Sequence, residues 1–115
     1  MEKEMNVFSA QGYFAGHSCK SNFDVQFKME FREDNLANAL QFVTALGIPL
    51  MIVARVNDEE EKIKLGKFYV YSVKVDKNAN CTVVFKSTKD SCFVGNFERL
   101  LVDEAYITLK AKVCK

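Results

Sequence analysis

The stretch Phe23-Asp24-Val25-Gln26-Phe27-Lys28-Met29-Glu30-Phe31, followed by Leu36 to Leu46 and then by Leu50 to Val56, decides how this chain is read. Apolar residues at 23, 25, 27, 29 and 31 alternate with polar ones at 24, 26, 28 and 30. That is the period-two pattern of a strand with one buried face. Asp34 or Asn35 offers a helix N-cap. Leu36, Ala39, Leu40, Val43 and Leu46 then recur at helical spacing, which predicts a long amphipathic helix. Gly47 can turn left-handed at its end, and Pro49 bars continuation. Two strands joined by a helix through such short links are expected to run parallel, with a right-handed crossover. On this reading Phe27→Ala and Leu40→Ala are the harshest single changes, because each empties core volume.

Outward from this unit the chain is rich in strand signals. Asn6 to Ala15 reads as a strand interrupted at Gly12, and Gly16 to Asn22 has loop composition, so a hairpin into Phe23 is expected. On the other side, Asn57 to Lys62 is a solvated acidic turn. Ile63 to Asp76 reads as a long strand with a break at Gly66. Asp76-Lys77-Asn78-Ala79-Asn80 is a turn into a second arm, Cys81 to Ser87. Asn96 caps one short helical turn through Leu101, and Ala105 to Val113 alternates as a last strand. The expected fold class is α+β: a mixed or mainly antiparallel sheet of five to six strands, one long helix packed on one face, and a short second helix. A partly open β-barrel with one helix is the alternative.

Length and charge bound the rest. A chain of 115 residues is expected to form one domain, residues 1–115. Sixteen basic against fifteen acidic side chains exclude a strongly basic, histone-like binder but leave room for a local basic patch. The charged start Met1-Glu2-Lys3-Glu4-Met5 does not read as a signal peptide. No apolar run reaches the roughly 18–20 residues of a membrane span. A cytoplasmic location with no membrane contact is therefore expected.

Catalytic and metal signals are weak. The four cysteines, Cys19, Cys81, Cys92 and Cys114, form no C-x-x-C pair, so neither metal nor cofactor is expected. His17 is the sole histidine, and at i, i+2 from Cys19 it makes a poor dyad. The carboxylate groups, Glu33/Asp34, Asp58 to Glu61 and Asp103/Glu104, fall in turns or at element ends. No phosphate-cradling glycine loop or metalloprotease motif is present, and the chain is not expected to be an enzyme.

The candidate binding surface is Lys67, Phe68, Tyr69, Tyr71 and Lys74 on the long strand, Lys86 on the next arm, and Tyr106 and Lys110 on the last strand. If one helix covers one sheet face, part of this aromatic set stays bare, and bare aromatic patches are commonly interfaces. The expected function is a non-catalytic binding or inhibitor-like module that contacts a protein partner or, through a free sheet edge, a second copy of itself. The alternative is single-stranded nucleic-acid binding, with bases on the aromatics and phosphates on the lysines. Both compete with a purely structural role, since aromatics favour strands and lysines protect edges.

Overall fold

Among the described residues six strands form where the alternating stretches lie: β1 (Val7–Ser21), β2 (Asp24–Phe31), β3 (Leu50–Val56), β4 (Ile63–Val75), β5 (Cys81–Ser87) and β6 (Tyr106–Val113). The computed structural model describes residues 7–21, 24–32, 36–56, 62–88 and 106–113. The strands close into a barrel in the order β1-β2-β5-β4-β3-β6, and each neighbouring pair is antiparallel. This overturns the expected sheet with a long helix on one face, and it leaves the barrel closed rather than partly open. β5 and β4 stand between β2 and β3, so β2 and β3 run in opposite directions and form no parallel crossover unit. The short helical turn expected at Asn96 to Leu101 lies outside the described residues.

The helical segment is short. α1 (Leu36–Leu40) tightens at once into a 3-10 helix, Gln41–Ala45, giving ten helical residues among those described. The buried positions are Ala39, Phe42 and Ala45, not Leu40, Val43 and Leu46. A 3-10 turn stacks side chains every three residues, and both triplets have that spacing. Phe42 decides between them: its ring packs on Phe8 at 5.8 Å, Phe31 at 6.3 Å and Phe85 at 5.5 Å. Burying that one ring, with two alanines close against the wall, turns the aliphatic triplet outward. Leu40 is 41% exposed, so Leu40→Ala is now expected to cost under about 0.5 kcal/mol, as surface changes do. A thermal melt within a few degrees of the parent checks this.

Gly47 ends the segment with φ +78°, the left-handed conformation expected for it. Its N–H donates to the Val70 carbonyl at 3.1 Å, and Leu46 makes a parallel bridge to Val70. The segment is thereby tied to β4.

The barrel interior is aromatic. Phe27, Phe31, Phe42, Phe68 and Phe85 are fully buried, with Leu50, Ile52, Leu65, Ile107 and Leu109 around them. The Phe27 ring stacks on Phe85 at 4.7 Å and meets Phe68 edge-on at 5.0 Å. On β6 the inward set Ile107, Leu109 and Ala111 is as the alternation implies. The β4–β5 turn is also where its composition places it. The Asp76 carboxylate accepts from the N–H groups of Asn78 at 2.8 Å and Asn80 at 3.0 Å, and Ala79 takes positive φ.

β1 departs from expectation. The loop-like run after Gly16 continues as strand to Ser21, because β2 pairs with it as far as Asp24. Gly12 is no break: it sits in register with Ile107, and the irregularities fall between Phe14 and Gly16 and between Cys19 and Ser21. The break expected at Gly66 is a bulge, since Ile52 faces Gly66 while Val53 faces Lys64, leaving Leu65 extra. Gly66 takes φ +110° there, which a side chain would resist. No described helix is long and apolar enough to cross a membrane.

Candidate interaction surface

The barrel wall alternates residues in and out, so the candidate residues sort by strand parity. Phe68 points inward and is fully buried; it belongs to the core and not to any surface. A bulge between Val70 and Ser72 makes Tyr71 the extra residue on β4. It throws Tyr71 outward at 55% exposure and reverses parity beyond it, so Ser72 faces out and Val73 packs on the core. The outward face of β4 is thus divided: Tyr69 and Tyr71 lie on it, and Val73 does not. Tyr69 faces Lys86 across the β4–β5 ladder, and the Lys86 ammonium lies 3.7 Å from the Tyr71 ring centre, a cation–π contact. Lys74 is exposed further along β4, opposite Thr82.

The remaining candidates lie elsewhere. Lys67 pairs with Met51 on β3, and Lys110 with Val53. Tyr106 stands beside Tyr13, ring centres 5.1 Å apart, and donates its hydroxyl hydrogen to Gln11 Oε1 at 3.3 Å. Arg32 covers the Tyr13 ring at 4.1 Å. The eight residues therefore form no single patch. Tyr69, Tyr71 and Lys86 come together; Lys67 and Lys110 join the β3 side; Tyr106 belongs to a tyrosine pair at the β1–β6 seam.

Two features of the surface went unread in the sequence. The first is an apolar ledge. Leu40, Val43 and Leu46 line the outer side of the helical segment, with Leu46 at 48% exposure. Ile48 and Met51 continue the series, and all are exposed. The bridge from Leu46 to Val70 sets the ledge beside Tyr71. The three-residue spacing of 40, 43 and 46 was the available signal, but it was assigned to the core. The second is Arg55, which joins Lys67, Lys110 and Lys112 in a basic wall over β4, β3 and β6.

Reactive groups are few. His17 is exposed on β1 with its ring 6.1 Å from Phe14. Cys81 is buried at the start of β5, and burial pushes its thiol pKa up, away from the reactive thiolate. Among the described residues no three His, Cys, Asp or Glu side chains gather. No family model matches the chain, and no curated protein is significantly similar to it.

Proposed function

We infer that the chain is a non-catalytic protein-binding module whose contact surface is the ledge Leu40, Val43, Leu46, Ile48 and Met51 with Tyr71. The observation that carries this is a run of five exposed aliphatic or thioether side chains within twelve residues, on a segment tied to a rigid barrel. Buried at a contact, each such side chain contributes on the order of 1 kcal/mol or more.

The surroundings argue for the partner's chemistry. Lys67 and Lys112 both pair with Met51, and Lys86 stands over Tyr71. No carboxylic residue occurs in residues 36–56 or 62–75. A two-fold contact between identical ledges brings these cations against their own copies, which disfavours self-association. The closed barrel also offers no free edge for strand pairing. The partner that fits is an amphipathic segment with an apolar ridge flanked by Asp or Glu.

The chain contains no Trp, so a Trp-bearing peptide reports its own binding by fluorescence. An amphipathic peptide with Glu beside its apolar ridge is expected to bind, and its Lys-flanked counterpart to bind at least tenfold more weakly. Leu46→Asp should abolish the difference while the melting temperature holds. Equal binding of both peptides, or full binding to Leu46→Asp, refutes the reading.

A further inference from the structure

The near-zero net charge of the chain conceals a segregation. Twelve of the sixteen basic residues lie among the described residues, against three of the fifteen acidic ones, Asp24, Glu30 and Asp76. None of those three lies on β3, β4 or β6. The described residues are therefore strongly basic.

The cations of these three adjacent strands fall in rows. Lys67, Met51 and Lys112 stand side by side across β4, β3 and β6. Lys64, Val53 and Lys110 form the next row, and Arg55 faces Thr108 beyond it. Lys62 enters just before β4. Successive outward positions on a strand are about 6.6–6.8 Å apart and neighbouring strands about 4.8 Å apart. Six cations thus share one stretch of wall. Toward the Arg55 end of it, Arg55, Lys62, Thr108 and Lys110 line a shallow dent of about 30 Å³ together with Val53 and Ala54. That is roughly twice the space one water requires, and three cations with a hydroxyl suit a phosphoryl group.

We propose that the β4-β3-β6 wall binds single-stranded nucleic acid, with one backbone phosphate seated over the dent between Arg55, Lys62 and Lys110. The wall continues into ring faces at both ends. Tyr69 and Tyr71 follow Lys67 on β4, and Tyr106 precedes Thr108 on β6 beside Tyr13. Such rings stack bases without regard to sequence, at about 1–3 kcal/mol per base. No described helix or hairpin projects from this wall to enter a major groove, which favours a single strand over a duplex. The phosphate seat of Arg55, Lys62 and Lys110 lies outside the ledge, although Met51, Tyr71, Lys67 and Lys112 belong to both surfaces, so variants at the seat and at Leu46 tell the two apart.

The test is fluorescence anisotropy of the full chain with a labelled single-stranded oligonucleotide of mixed sequence over a salt series. Each phosphate neutralised adds about 0.7 to the slope of log affinity against log salt. Arg55→Gln with Lys110→Gln is expected to weaken binding at least tenfold at low salt and to flatten the slope by about 1–1.5. Lys20→Gln with Lys28→Gln removes the same charge from β1 and β2, off this wall, and should change neither. Leu46→Asp should also leave binding intact, which separates this site from the ledge. Absence of binding at low salt overturns the proposal, as does an equal loss in the Lys20/Lys28 control. Tighter binding of a duplex, or equal binding of inorganic polyphosphate, overturns the single-strand assignment.

Discussion

Phe27→Ala is expected to lower the unfolding free energy by about 3–5 kcal/mol, the range for removing a buried Phe ring. Two ring contacts and complete burial place it at the high end: Phe85 stacked at 4.7 Å and Phe68 edge-on at 5.0 Å. A closed barrel aggravates the loss. Its wall is a continuous hydrogen-bonded hoop, and strands cannot collapse inward on a cavity without breaking ladders. For a domain of this size the change corresponds to a melting temperature lower by roughly 10–25 °C. Phe27→Leu keeps much of the volume and should lose only a fraction of that. A melt of Phe27→Ala within 5 °C of the parent (about 1 kcal/mol) would show that the interior is not centred on this ring.

Gly12→Ala is the second large effect, and it reverses the usual reading of glycine as a tolerant site. A Cβ there would stand 2.6 Å from Phe31 Cδ1 and 2.8 Å from the Glu30 carbonyl oxygen. The ring lies over the glycine because there is no side chain to hold it off. The carbonyl belongs to the β1–β2 ladder, where Glu30 faces Tyr13, so it moves only if β2 moves. Overpacking of this kind costs about 1–3 kcal/mol, and Gly12→Val should exceed it. Combining Gly12→Ala with Phe31→Leu should recover part of the loss, a coupling of roughly 0.5–3 kcal/mol between touching residues. Denaturant midpoints of the four proteins measure it. Strict additivity would mean the ring does not cover Gly12.

Gly12 also shows where the sequence could and could not be read. An isolated glycine inside a strand pattern signals either a bulge or a close approach. The sequence alone pointed to interruption; the structure shows an aromatic ring in contact. Alternation identified β2, β5 and β6 and their inward faces, because each of these strands lacks the bulges of β1 and β4. It failed on β4, where the extra residues Leu65 and Tyr71 each reverse the parity. A bulge adds one residue and leaves composition unchanged, so it is invisible to a count of apolar positions. The helical segment failed for another reason. Residues 39, 42, 45 and residues 40, 43, 46 are rival apolar stripes, and only the shape of the barrel end selects Phe42 over three aliphatic chains. Closure itself was beyond reach. A period-two pattern tells a strand which face is buried and is silent on which neighbours it takes.

The surface was legible in part. Tyr71 and Lys86 emerged as a contacting pair, while Phe68 was lost to the core by the same alternation that had recommended its strand. Arg55 was overlooked because it is a lone charge in an apolar run. Only the pairing of β3 with β4 and β6 sets it among lysines distant in sequence.

β1 gives its first half to β6 and its second half to β2, with Tyr13 facing Tyr106 on one side and Glu30 on the other. The seam it makes with β6 joins positions distant in sequence, Gln11 and Thr108 among them, 97 residues apart along the chain. During synthesis the first half of β1 must therefore stay unmatched on that side until β6 has left the ribosome. Completion of the ring is a late event, and topologies dominated by such distant pairings fold in about milliseconds to seconds rather than microseconds. A nascent chain stalled before Tyr106 would hold an incomplete cylinder, the form most in need of a chaperone.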